Sequence, residues 1–243
     1  FYGETIPNPQ GDILDIEPIA AVAHEVGVPL IVDNTVATPY LCRPFEHGAH
    51  IVVHSLTKYI GGHGTTIGGA IVDSGRFDWK KHARRFPIFS QPDPSYHGVV
   101  YTDSFGEAAY IARCRVVPLR NTGAALSPFN AFLLLQGLET LALRMERHEA
   151  NATAIAQFLR SSPYVTRVLY PGHSGMVSFD LAESVDVARF LASVRVFTFA
   201  ESLGGVESLV TCPSVQTHAD VPVEVRASYG LTDRLMRLSV GIE

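Results

Sequence analysis

The 243-residue sequence is 47% hydrophobic and 18% charged, with a formal net charge of −5. A chain of that length and apolar content buries a substantial core, as one large domain or two smaller ones; its interspersed, slightly acidic charges argue against nucleic acid or an anionic membrane as partner. Cys42, Cys114 and Cys212 lie far apart with no C-x-x-C pair, which indicates neither a disulfide framework nor a thiolate zinc site, and without a membrane-length apolar run or a signal-peptide pattern the expected location is the cytoplasm.

The sequence opens at Phe1 without a methionine, as expected for a piece of a longer protein. Ile16, Ile19, Ala20, Ala23 and Val26 recur at the helical period, and Gly27 is placed to end that helix. "VPLIVD" follows as a short buried strand, "HGAHIVVHS" as a second and "IGGAIV" as a third. Strands apolar on both faces, alternating with helical stretches, predict an α/β fold with a largely parallel sheet covered on both sides. Residues 76–104 are polar, aromatic and Pro-rich without a sustained period, and read as a long loop near a site or a subunit contact.

Ser127-Pro128 is a cap and first-turn pair for a helix through "FNAFLLLQGLETLALRMERH". A second helix, "EANATAIAQFLRS", stops at Pro163. "MVSFDL" and "RVFTFA" then read as strands around a helix at "SVDVARFLASV", which predicts a smaller α+β domain. The boundary is expected near residue 146, dividing the chain into 1–145 and 146–243. Gly172-His173 joins two elements with hardly any connection, and a missing segment is expected there.

Several chemistries lack their motifs. Gly62-His63-Gly64-Thr65-Thr66-Ile67 lacks the last glycine of G-x-G-x-x-G, and the phosphate loop of nucleotide-binding proteins is absent. The ten histidines include no H-E-x-x-H, so no metal is expected. What remains is a pair of strand ends. Asp33 closes "LIVD" and Lys58 follows "IVVHSLT", and in a parallel α/β sheet both fall at the carboxyl edge, where ligands bind. Singly they read as a turn aspartate and a solvated lysine. With Ser55 and Thr57 they match the needs of pyridoxal phosphate: a lysine for its aldehyde, a carboxylate for its pyridine nitrogen, and hydroxyl and backbone donors for its phosphate.

The ordered segments "VDNT", "HSLTKYIGGHG", "SLGGVESL" and "RLSVGIE" resemble the Cys/Met-metabolism family of pyridoxal phosphate enzymes, over nearly the whole chain. That family includes cystathionine γ-synthase, cystathionine γ-lyase, methionine γ-lyase and O-acetylhomoserine sulfhydrylase. The resemblance implies an aspartate aminotransferase-like fold (fold type I), pyridoxal 5'-phosphate as cofactor, and a homotetramer built from active dimers. It implies that Lys58 carries the cofactor aldehyde, that Asp33 pairs with the pyridine nitrogen, and that Ser55 and Thr57 contact the phosphate. Asn8 is implied beside the cofactor or the substrate carboxylate, with Glu4 supporting that shell. Arg237 is implied to take the substrate α-carboxylate, a task suited to a guanidinium fork, with Ser202 and Leu203 near the lysine. The family's longer N-terminal region carries a ring-stacking aromatic residue, a phosphate turn and a Tyr/Arg pair that reaches a neighbouring subunit's phosphate. None of these, nor the family's final helix after Glu243, is found here, which again leads us to expect a fragment.

Two parts of the chain resemble different members. Residues 75–116 and 123–148 are similar to O-acetylhomoserine sulfhydrylase, whereas "FTFAESLGGVESLVTCPSVQTH" is similar to cystathionine γ-lyase, in which a glutamate at the position of Glu201 is associated with a long, two-headed substrate. The longer match favours γ-replacement on an O-acylated homoserine by sulfide or a thiol. Lyase or synthase activity stays open, as does a catalytically inactive structural paralogue.

Overall fold

A computed structural model describes residues 1–243. Its first half is built on a four-stranded sheet of β1 (Tyr2–Glu4), β2 (Ile31–Asp33), β3 (Ile51–Ser55) and β4 (Gly69–Asp73), in that spatial order. The first three strands are parallel, with Glu4, Asp33 and Val53 in register, and β4 runs antiparallel to β3. Helix α1 (Ile16–Glu25) connects β1 to β2 and buries Ile16, Ala20 and Ala23 in one cluster with Leu30 and Val32. That i, i+4, i+7 stripe is the pattern visible in the sequence. Burying each larger aliphatic side chain contributes roughly 1.5–3 kcal/mol.

The segment 76–104 departs from the expected loop. Phe77, Trp79, Phe89 and Tyr101 converge on Ile51 of β3 and on the short helix Ala109–Cys114, with the Trp79 ring 4.6 Å from Phe77 and 4.2 Å from Phe89. These aromatics come from turns and two four-residue helices, Pro87–Ser90 and Tyr101–Ser104, so no single period records their common burial. The locally basic run 76–85 is also tied down: Lys80 pairs with Asp103 at 2.8 Å, and Arg76 and Arg85 donate to the Phe45 and Val26 carbonyls.

Helix α2 (Pro128–Glu139) starts on the expected cap, with Ser127 Oγ accepting from Asn130 N at 3.1 Å. It ends earlier than the sequence suggests. The chain breaks at Thr140, whose N–H and hydroxyl both donate back to the Gly137 carbonyl at 3.3 Å, and resumes as α3 (Leu141–Arg160). The two helices read from the sequence, meeting at His148, are therefore redivided at Thr140. α3 is unbroken through residues 145 and 146.

The second half packs α3 and α4 (Val187–Ser193) on a sheet of β5 (Val165–Leu169), β6 (Met176–Leu181), β7 (Thr198–Phe199), β8 (Leu209–Thr211) and β9 (Leu235–Ser239), ordered β5-β6-β9-β8-β7. Only the β7–β8 pair is parallel. Both β6 and β9 are buried along their whole length. The Gly172-His173 junction lies in the connection of the antiparallel β5–β6 pair, which needs few residues; Tyr170 OH donates there to the Ser174 carbonyl at 3.3 Å. No helix is long and apolar enough to cross a membrane.

Candidate active site

Because β1, β2 and β3 are parallel and in register, their carboxyl ends meet at one edge. Asp33 is the last residue of β2; its Oδ1 accepts from Thr35 N at 2.9 Å and its Oδ2 from the Tyr2 hydroxyl at 3.1 Å. Burial and then the Asp33 charge push the Tyr2 phenol up to about 12. The Thr35 hydroxyl accepts from Ser55 N at 2.8 Å, which ties the end of β2 to the end of β3.

After Ser55 the chain closes a tight turn, with Lys58 N donating to Ser55 O, Gly61 N to Leu56 O and Gly62 N to Lys58 O, at 2.8–3.2 Å. Lys58 leaves this turn half-buried and donates from Nζ to Ser202 Oγ at 3.2 Å, across 144 residues of sequence. Burial, then the charge of Arg237, lowers the proton affinity of this amine. Lys80 and Lys81, the only other lysines, are exposed.

Arg237 lies in β9 and is 2% exposed. Its guanidinium donates to Asn8 Oδ1 at 3.2 Å, to Ser202 O at 2.8 Å and to Thr211 Oγ1 at 3.0 Å, while the buried Nε has no partner. Burial lowers its pKa to about 10, opposed by Tyr59 and Glu201. Ser202 adopts φ 109°, a region that favours glycine; such strain costs about 1–3 kcal/mol and persists where its surroundings over-determine it. Here the side chain accepts from Lys58 and the carbonyl accepts from Arg237.

A cavity of about 150 Å³ opens among Glu4, Asn8, Asp33, Thr35, Ser55 and Lys58, with Leu203 on its wall. Burial and then Asp33 raise the Glu4 carboxyl. A larger apolar groove of about 840 Å³ lies between α3 and α4, but its lining of residues such as Phe158, Leu159 and Phe190 offers little for covalent chemistry. Of the residues singled out in the sequence, Ser202 and Arg237 reach the cavity's edge through Lys58 and Asn8. Glu201 is exposed, and the Thr57 hydroxyl pairs with the Gly68 backbone, accepting from its N–H at 3.0 Å, without lining the cavity. Thr35 and Tyr2 were not singled out; the spacing Asp33-x-Thr35 held the one available signal.

This donor set fits pyridoxal phosphate. An amine of lowered proton affinity, a carboxylate on the neighbouring strand, free wall space beside Ser55 and Thr35, and an unpartnered buried donor on Arg237 are the groups that an aldehyde, a ring nitrogen, a phosphate and a substrate carboxylate call for. A lysine and an aspartate at the carboxyl edge of a mostly parallel sheet, closed over by a second α/β half, define the fold type I class of pyridoxal phosphate enzymes.

The chain belongs to the Cys/Met metabolism PLP-dependent enzyme family, whose model matches residues 1–243. It is 48% identical over 261 aligned positions to the homocysteine synthase of Schizosaccharomyces pombe, a match covering 100% of this chain and 61% of that protein. An O-acetylhomoserine (thiol)-lyase structure from Campylobacter jejuni, which carries N'-pyridoxyl-lysine-5'-monophosphate, matches with a TM-score of 0.93 at 38% identity, covering 100% of this chain and 62% of that one. Cystathionine γ-lyase from Lactobacillus plantarum gives 0.80 at 33% identity, covering 100% and 59%. The chain thus spans about three fifths of the length of the relatives it matches.

Proposed function

We propose that the protein containing this chain catalyses γ-replacement on an O-acylated homoserine, with sulfide or a thiol as nucleophile and pyridoxal 5'-phosphate held through Lys58. The observation that carries the choice of replacement is the higher likeness to the thiol-lyase than to cystathionine γ-lyase, with the 76–104 segment anchored in the fold by Phe77, Trp79, Phe89 and Tyr101.

Bound pyridoxal phosphate supplies an electron sink for a carbanion next to the substrate amino group. The chain's residues do the rest. Lys58 Nζ, depressed by burial and by Arg237, takes and returns protons more readily than a surface lysine. Ser202 Oγ fixes the direction of that amine. Asp33, held by Tyr2 and Thr35, would offer its carboxylate to the ring nitrogen. Ser55 would serve the phosphate side, with Thr57 behind it on the Gly68 backbone, and Glu4 closes the cavity wall. Arg237 binds the substrate α-carboxylate, oriented by Asn8, and Leu203 shapes the wall beside it. Residues 1–145 form the cofactor-binding part and 146–243 the smaller domain that supplies Ser202 and Arg237. The same reading takes a small amino acid and a sulfur nucleophile as substrates, neither nucleic acid nor membrane as partner, a homotetramer of active dimers, and a cytoplasmic location.

Glu201, whose charge acts on Arg237, favours a second reading as a cystathionine γ-lyase. The full-length protein loaded with pyridoxal phosphate separates the two. Homocysteine from O-acetylhomoserine and sulfide supports replacement, whereas dominant 2-oxobutyrate from cystathionine alone overturns it.

A further inference from the structure

Lys58 stands on a turn whose outer carbonyls need partners, and one buried side chain supplies them. Arg144, on the first turn of α3, is 4% exposed and has no carboxylate within ion-pair distance. Its guanidinium donates to the Tyr59 carbonyl at 2.6 Å, the Ile60 carbonyl at 3.2 Å and the Gly137 carbonyl at 2.7 Å, and its Nε donates to Thr140 Oγ1 at 3.1 Å. A buried guanidinium is costly unless its donors are matched, and here backbone carbonyls from two segments match it.

The surrounding backbone is shaped to the same contact. At Gly137 of α2 any Cβ would collide with the Gly61 carbonyl, so only glycine lets the helix end approach the lysine turn this closely. At Gly62 a Cβ would collide with the Arg144 guanidinium, and its φ of 72° also favours glycine. On its other side the turn is held by Tyr59, which is fully buried, receives a hydrogen bond from Gly175 N at 3.2 Å and packs edge-on against His148. Thr140, at the break between α2 and α3, lies one helical turn before Arg144 and accepts from its Nε.

We propose that Arg144 is a positioning residue for Lys58: by clamping the Tyr59 and Ile60 carbonyls against the end of α2, it fixes where the Lys58 amine emerges. Arg144 touches neither Lys58 Nζ nor the cavity, and it acts through the turn. The proposal rests on the reading of Lys58 as the residue that holds the cofactor aldehyde.

The test follows borohydride trapping of pyridoxal phosphate on Lys58 against pH, in the full-length wild type, Arg144→Met, Arg144→Lys and Gly137→Ala, with the exposed Arg147→Met as control. Hydrogen exchange of the 59–62 amides is measured in parallel. The expected result is trapping slowed about 10²-fold in Arg144→Met, the scale of an ångström-sized misplacement. Its pH midpoint moves toward that of a free lysine, exchange at 59–62 is faster, and Arg144→Lys recovers part of the loss while Arg147→Met matches wild type. If Arg144→Met does not fold, Arg144→Lys and Gly137→Ala carry the test. Wild-type rate, pH midpoint and exchange in the folded variants would overturn the proposal. A wild type that traps no cofactor on Lys58 overturns the site reading instead, and exchange at 59–62 still reads the clamp.

Discussion

The Arg237 guanidinium donates to the Asn8 side-chain oxygen at 3.2 Å, joining the last strand of the chain to the segment that follows the first, 229 positions apart. With Ser202 on the same guanidinium, the contact draws both halves of the chain around Lys58.

Arg237→Lys keeps the charge but loses the fork. Truncating one partner of a buried hydrogen-bonded charge network costs about 2–5 kcal/mol, so kcat/KM for the amino-acid substrate is expected to fall about 10²-fold or more. An unchanged kcat/KM would remove Arg237 from the substrate site.

Ser202→Ala removes the acceptor of the Lys58 amine and leaves the backbone contact to Arg237 in place. A lost hydrogen bond of about 0.5–1.5 kcal/mol predicts a roughly fivefold fall in turnover. Circular dichroism should match wild type, and turnover at the wild-type level would contradict the tether.

Trp79, the single tryptophan, is 5% exposed among Phe77, Phe89 and Tyr110. Trp79→Ala is expected to cost about 3–5 kcal/mol by leaving a cavity, measured by denaturant titration followed by circular dichroism. The cluster packs on Ile51, the opposite end of β3 from Ser55, so kcat should hold wherever the variant is folded. A loss of less than about 1 kcal/mol would mean that 76–104 is not a packed part of the core.

Burial, then His24, lowers the His50 pKa from 6.5 to about 4. The folded state therefore binds this proton more weakly than the unfolded state. His50 leaves stability unchanged above about 6.5, reduces it as pH falls from about 6.5 to about 4, and adds no further loss below. The check is a magnetic-resonance titration of the His50 ring; a midpoint near 6.5 would contradict its burial against Phe77.

The legible parts of this fold are local. α1 shows because its buried stripe falls on one helical face, and β2 and β3 because they are apolar runs bounded by turns. The break at Thr140 is not visible, since apolar residues continue through it and the residues flanking it, Gly137 and Arg144, meet residues 59–61 far upstream. β1 is three residues long and carries no period of its own. The site divides in the same way. Asp33, Ser55 and Lys58 stand at strand ends that can be read directly, whereas Ser202, Arg237 and Asn8 meet through contacts 35 to 229 positions long and were reached only through family resemblance. Arg144 in a helical run reads as a surface arginine; it is buried against the Tyr59, Ile60 and Gly137 carbonyls, a long-range contact that no local pattern records.

Each proposed role depends on Lys58 holding pyridoxal phosphate. Borohydride reduction of the loaded full-length protein, followed by peptide mapping, tests it with only Lys80 and Lys81 as competitors within this chain. A pyridoxyl group is expected on Lys58, absent in a folded Lys58→Ala variant that has also lost turnover. Label on Lys80 or Lys81 with Lys58 unmodified, or turnover retained in Lys58→Ala, would contradict it.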